Sequence, residues 1–107
     1  MVSQGDIIKV NLNPVQGREQ AGYRPCLVVS KEIYHRMTNL CVICPISNTD
    51  NTFPMHIDLP NGLQTTGKVL TQHIRTIDIN NRSYTLVESV PREYLEKIID
   101  ITCSIIK

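Results

Sequence analysis

Apolar runs in this 107-residue chain stop after about four or five residues, and a turn signal follows almost every one. A chain cut into pieces of that length builds short strands. It has no stretch near the roughly 18 to 20 apolar residues that cross a bilayer, and no sustained coiled-coil heptads. Residues 6–12 alternate after Ile7, with Ile8, Val10 and Leu12 on one face. Residues 26–30 and 40–46 are near-continuous apolar runs, the pattern of strands buried on both faces. Residues 55–59 alternate cleanly, and 68–74 and 84–88 add two more strands. Asn13-Pro14, residues 48–54, Pro60-Asn61-Gly62 and Asn80-Asn81 supply the turns between them.

From Pro91 the period changes. Tyr94, Leu95, Ile98, Ile99, Thr102, Ile105 and Ile106 recur at helical spacing, Pro91 suits a first turn, and Glu93 lies near the positive end of the helix dipole. This predicts one amphipathic C-terminal helix of about four turns. A short helical turn is expected over residues 31–36. The expectation is a mainly β domain: five or six short strands in a small, strongly bent antiparallel sheet or barrel, closed by that helix. Its size is that of one domain over residues 1–107, and domains with so little buried area per residue are often dimers.

Composition narrows the class further. Apolar residues make up 41% and charged residues 20%, which supports an ordinary core and argues against disorder. Eleven Lys and Arg against ten Asp and Glu leave a formal charge of +1, so any contact with nucleic acid rests on a local concentration of positive charge. The N-terminus lacks the charged start and apolar middle of a signal peptide, and the expectation is a soluble cytoplasmic protein without a membrane contact.

The cysteines at 26, 41, 44 and 103 include one C-x-x-C, Cys41-Val42-Ile43-Cys44. It lies in a strand, where residues three apart point to opposite faces, so the two thiols diverge instead of converging on a metal. We read them as buried structural residues, with no metal site and no cofactor. His35 and His56 receive no role.

One connector is too long for a hairpin. Residues 13–25 hold two arginines, a glutamate, two glutamines and a tyrosine, with two glycines between them. Loops of about a dozen residues are uncommon in compact domains unless they serve function. Arg24 stands where a strand begins, against Pro25, so its base is held rigidly, and its planar fork matches a phosphate.

The string Gly17-Arg18-Glu19-Gln20-Ala21-Gly22-Tyr23-Arg24-Pro25-Cys26-Leu27-Val28-Val29-Ser30, preceded by Gly5-Asp6-Ile7 and Asn13-Pro14, resembles the opening of the MazF/PemK/Kid family of toxins. The pattern continues in Pro45-Ile46-Ser47, Thr65-Thr66-Gly67 and Gln72-His73-Ile74-Arg75-Thr76-Ile77-Asp78, so the likeness covers essentially the whole chain in order. The resemblance implies an SH3-like barrel of five to seven short strands with a C-terminal α-helix, usually as a homodimer. It implies a toxin of a type II toxin–antitoxin pair that cuts single-stranded mRNA at short motifs without a metal, leaving a 2′,3′-cyclic phosphate and a 5′-hydroxyl. The implied partners are the mRNA and a cognate antitoxin, with DNA reached only indirectly through the antitoxin.

The residues themselves suit that chemistry. With no carboxylate cluster for two metal ions and no P-loop, the nearest nucleophile on a nucleic acid is RNA's own 2′-hydroxyl. Its attack needs a proton acceptor, cationic stabilisation of the phosphate and help for the leaving 5′-oxygen. Arg24 matches the family's catalytic arginine. A guanidinium keeps its proton beyond roughly pH 12, so charge stabilisation is its natural role. Ser47 aligns with the family's active-site threonine and keeps the hydroxyl. Glu19 is a candidate base, or an ion-pair partner of Arg18 or Arg24. Leu70 and Gln72 stand where Kid-like members carry an arginine and an acid, and Arg18 replaces a histidine, so the arrangement of arginine plus hydroxyl fits better.

For RNA binding, Tyr23 and Phe53 can each stack one base, and Gln20, Asn48, Thr49 and Gln72 offer hydrogen bonds to base edges. Gln72 and His73, read as neighbours on a strand, face opposite ways, one of them into the groove. Arg18 is a further contact, and Arg75 is either an RNA contact or an ion-pair partner of Asp78 or Asp58. The alternative is a CcdB-like toxin that binds a protein target such as DNA gyrase. It would need an apolar or aromatic C-terminal anchor, whereas residues 104–107 are Ser-Ile-Ile-Lys. A non-catalytic SH3-like binding module would present an aromatic-lined groove, which one Phe and no Trp do not supply.

Overall fold

The computed structural model describes residues 2–13 and 22–107. Their seven strands are β1 (Asp6–Asn11), β2 (Tyr23–Val28), β3 (Leu40–Ser47), β4 (His56–Asp58), β5 (Lys68–Leu70), β6 (Arg75–Asp78) and β7 (Tyr84–Ser89). Helix α1 (Glu32–Thr38) joins β2 to β3, and α2 (Arg92–Ile106) ends the chain. All pairings are antiparallel, in the order β4-β5-β3-β2-β1-β7, with β6 also on β3. The sheet bends, but among the described residues no ladder joins β7 to β4, so it is not a closed barrel.

Strand alternation divides the core in two. One cluster holds Ile8, Val10, Leu12, Cys26, Val28, Cys41, Ile43 and Ile77. On the other face Ile7, Leu27, Cys44, Ile46 and Val69 pack against Leu95 and Ile98 of α2. Burying each such Ile or Leu contributes about 1.5–3 kcal/mol, and truncating one to Ala costs about 2–5 kcal/mol. Cys41 and Cys44 fall in opposite clusters, as their spacing predicts. Burial pushes the Cys41 thiol up to about 11 and the Cys44 thiol up to about 12. They remain neutral and unreactive near pH 7.

The predicted C-terminal helix forms behind Pro91, whose carbonyl accepts the Leu95 amide at 3.0 Å. It buries Leu95, Ile98 and Thr102, while Ile105 and Ile106 stay exposed. The Tyr94 hydroxyl donates to the Ile57 carbonyl at 3.1 Å, tying α2 to β4. Helix α1 fills the short turn expected near residues 31–36 and ends at Asn39, whose φ of 60° gives the left-handed cap.

The segment read as one strand over 68–74 is broken. Strand β3 pairs Ile46 with Val69 of β5 and Ile43 with Arg75 of β6. Three residues along β3 therefore face six along its partner, and the surplus forms the 3-10 turn Thr71–His73. Alternation does not apply inside such a turn, so the expectation that Gln72 and His73 face opposite ways is corrected.

A bulge shapes the far edge. Strand β1 pairs Ile7 with Glu88 and Ile8 with Leu86, leaving Val87 unpaired in β7. A bulge of this kind turns two consecutive side chains toward the same side of the sheet.

Candidate active site

The ladder between β2 and β3 runs through Cys26 opposite Pro45, with Leu27 and Cys44 behind it. The ladder ends there: Arg24 lies two residues before Cys26 in β2, where it pairs with Val10, and Ser47 lies two residues after Pro45 in β3, where it pairs with Lys68. Arg24 shares its strand face with Cys26 and Val28, and Ser47 shares its face with Cys41 and Ile43, so both belong to the first-cluster side. Arg75, two residues before Ile77, is on that side as well. Both guanidiniums act on the Cys26 thiol: burial drives it up to about 12 against their opposing pull, with Arg24 the stronger of the two. Two arginines and a hydroxyl thus share one rim of the sheet.

Local hydrogen bonds fix this rim. The Leu12 amide donates to the Gly22 carbonyl at 2.9 Å, and the Gly22 amide donates to Asn13 Oδ1 at 3.2 Å. Arg75 Nη1 donates to the Leu12 carbonyl at 3.3 Å, not to Asp78 or Asp58 as the ion-pair alternative required. Arg82 Nη1 donates to the carbonyls of Asn11 and Asn13 at 2.7 and 2.9 Å. The two arginines hold the end of β1 beside the start of β2, where Arg24 stands. Arg82 carried no motif in the sequence and was not anticipated there.

The remaining candidates are spread around this rim. Tyr23 is 60% exposed, with its hydroxyl 3.4 Å from Thr85 Oγ1. Asn48 Oδ1 accepts from the Thr66 hydroxyl at 3.2 Å, and Thr49 Oγ1 accepts the Asn51 amide at 3.2 Å. Gln72 Nε2 lies 2.7 Å from His56 Nε2, and both line an open groove of about 480 Å³ with Asn51, Thr52 and Phe53. Phe53 meets the His56 ring edge-on at 5.3 Å. His56, assigned no role from sequence, is therefore part of this groove wall; a lone histidine in an alternating strand gives no signal of that. His73 is half-buried in the 3-10 turn beside Gln72. Arg18, Glu19 and Gln20 lie outside the described residues, and so does any contact made by Glu19 as a base. No three His, Cys, Asp or Glu side chains gather as a metal-ligand cluster among the described residues.

A bent antiparallel sheet of seven strands backed by one C-terminal helix matches the mainly β fold the resemblance implied. The chain belongs to the PemK-like, MazF-like toxins of type II toxin–antitoxin systems, whose family model matches residues 3–105. It is 33% identical over 102 residues to the endoribonuclease PemK of Escherichia coli, covering 92% of this chain and 77% of that protein. Its fold is similar to the crystal structure of MazF from Deinococcus radiodurans, with a TM-score of 0.92, 30% identity and coverage of 98% and 96%. It is also similar to a MazE–MazF structure from the same organism, with a TM-score of 0.83, 26% identity and coverage of 98% and 94%.

Proposed function

We propose that this chain is the toxin of a type II pair and an endoribonuclease that cuts single-stranded mRNA by attack of the substrate's own 2′-hydroxyl. The features that support this reading are Arg24 in β2 and Ser47 in β3, which strand alternation puts on the side of the first core cluster. In the reaction the 2′-oxygen bonds to phosphorus as its proton passes to a base, for which Glu19 is the candidate. The bond from phosphorus to the 5′-oxygen breaks, that oxygen takes up a proton, and a 2′,3′-cyclic phosphate and a 5′-hydroxyl result. Arg24 stabilises the negative charge on the crowded phosphate, and Ser47 donates a hydrogen bond to one of its non-bridging oxygens. None of these steps calls for a metal.

In this reading Tyr23 and Phe53 stack single bases, and Asn48, Thr49 and Gln72 read their edges. Arg75 and Arg82 fasten the rim that holds Arg24. The PemK relative is named an endoribonuclease, which favours cleavage over a gyrase-binding action. The MazE–MazF structure supports a cognate antitoxin as partner, through which any contact with DNA would be made. We place the protein in the cytoplasm as a homodimer. No helix among the described residues is long and apolar enough to cross a membrane.

The test is incubation of the purified protein with a long single-stranded RNA in EDTA, mapping cut sites and end groups. Recurrent cuts at one short motif with cyclic-phosphate and 5′-hydroxyl ends are expected, absent in Arg24→Ala and blocked by a 2′-deoxy nucleotide at the cut. Intact RNA would move the assignment to a protein target.

A further inference from the structure

The loop between β4 and β5, residues 59–67, crosses toward the opposite edge of the sheet. There Glu88 of β7, turned by the bulge at Val87, receives it: its carboxylate accepts the Gln64 amide at 3.0 Å, the Thr65 amide at 2.7 Å and the Thr65 hydroxyl at 2.7 Å. The two edges that no ladder joins are joined by one carboxylate. At its other end the loop presses on the candidate site. The Thr66 hydroxyl donates to Asn48 Oδ1 at 3.2 Å, and Gly67 packs so closely that an added Cβ would lie 2.7 Å from the Ser47 carbonyl oxygen. Beneath the loop is a hollow of about 310 Å³, lined by Lys9, Pro25, Asn48, Gln64, Thr65 and Val87 among others. Leu59 and Leu63 of the loop pack against the second core cluster and the Leu59 amide donates to the Gly67 carbonyl at 3.0 Å, so Glu88 holds the stretch that lies over the hollow between those anchors.

We infer that Glu88 is a positioning residue for RNA cleavage: by holding residues 64–65 it keeps Gly67 and Thr66 against Ser47 and Asn48, and so fixes the hydroxyl's place at the scissile phosphate. This rests on the ribonuclease reading above. Glu88 touches neither substrate nor the reacting atoms. Its removal acts through geometry, and a misplacement of about 1 Å at a reacting group lowers turnover by up to about a hundredfold.

The experiment measures kcat and KM on a short RNA containing a mapped cut site for the native protein, Glu88→Ala, Glu88→Gln and Thr65→Val. Circular dichroism melting and amide exchange at Gln64 and Thr65 are followed in parallel. Glu88→Ala is expected to melt cooperatively, exchange faster at both amides and lose about tenfold to a hundredfold in kcat, with KM within about threefold. Glu88→Gln and Thr65→Val keep part of the clamp, fall between, and carry the test if Glu88→Ala does not fold. Native kcat in variants whose two amides have lost protection overturns the inference while leaving the ribonuclease standing. A loss confined to KM overturns it too. A native protein that leaves RNA intact fails the ribonuclease reading itself, and this inference with it.

Discussion

Gln72 and His56 meet at 2.7 Å, Nε2 to Nε2, which with the amide as donor puts the imidazole proton on Nδ1. That Nδ1 and the Gln72 Oε1 are buried without a partner among the described residues. Each unmet buried group costs about 1–3 kcal/mol, so the contact is held against an opposing term. Gln72→Leu or His56→Leu alone strands the surviving partner, whereas the double replacement removes both. In a double-mutant cycle by urea unfolding, the double variant should be more stable than the summed singles predict, by about 1 kcal/mol. Strict additivity would mean that the contact contributes nothing.

Arg24→Lys keeps the positive charge at the start of β2 and removes the planar fork. A point charge on a flexible stem cannot hold two phosphate oxygens at once. Cleavage should fall by about a hundredfold in kcat, with the melting temperature within a few degrees of native, because Arg24 stands at the rim and not in either core cluster. Native turnover in the lysine variant would remove the guanidinium from the mechanism.

Ser47 tests the hydroxyl separately from the charge. Ser47→Ala removes one hydrogen bond to the phosphate, about 1 kcal/mol or somewhat more, which corresponds to about tenfold in rate. Ser47→Thr restores the oxygen and should cleave within about threefold of native. If alanine and threonine behave alike, the hydroxyl plays no part in the reaction.

How far these assignments were legible in the sequence depended on how local their causes are. The strands β1, β3 and β7 and the helix α2 follow from periodicity alone, and Arg24 is marked by the Arg-Pro junction where β2 starts. The 3-10 turn at Thr71–His73 was not legible, because it is created by the registers of β5 and β6 on β3 and not by any preference of Thr, Gln or His. The openness of the sheet is likewise a matter of which edges meet. Glu88 was invisible for the same reason: its partners lie 23 and 24 residues away, and a glutamate on an edge strand reads as solvated surface. Arg75 matched a motif, yet its contact is a backbone carbonyl 63 residues distant, not the acids nearby in sequence.

Two carboxylates predict the acid response. Burial works against the Glu88 charge, but the Thr65 hydroxyl and the Gln64 and Thr65 amides outweigh it and hold the carboxyl below its ordinary value. The Glu32 carboxyl is held low chiefly by the Gln4 amide, which it accepts at 3.0 Å. A carboxyl whose value is lower folded than unfolded stabilises the fold above the ordinary carboxylate range, near pH 4.3, and that contribution is lost as pH falls through the folded value. Exchange at Gln64 and Thr65, taken as a ratio to Glu88→Gln at each pH, should therefore rise only below about pH 4. A flat ratio through that range would show that the carboxylate charge does not hold the loop.

Gly67 separates backbone strain from steric pressure on the site. Its φ is 120°, a conformation that L side chains rarely adopt, and an added Cβ would stand 2.7 Å from the Ser47 carbonyl oxygen and 3.0 Å from its carbon. Gly62, in the same loop, has a φ of 95° but nothing within 4 Å of the added atom. Alanine at either position pays the torsional penalty, about 1–3 kcal/mol. Only at Gly67 must the end of β3 also move, because the two nearest atoms belong to the Ser47 backbone and cannot rotate aside. Gly62→Ala should therefore melt earlier yet cleave RNA at the native rate once folded, while Gly67→Ala should melt earlier and also lose about tenfold or more in kcat. Paired melting and single-turnover cleavage assays read the two effects apart. Equal rates in the two variants would mean that displacing the Ser47 backbone leaves the reacting hydroxyl where it was, and that the loop does not set its position.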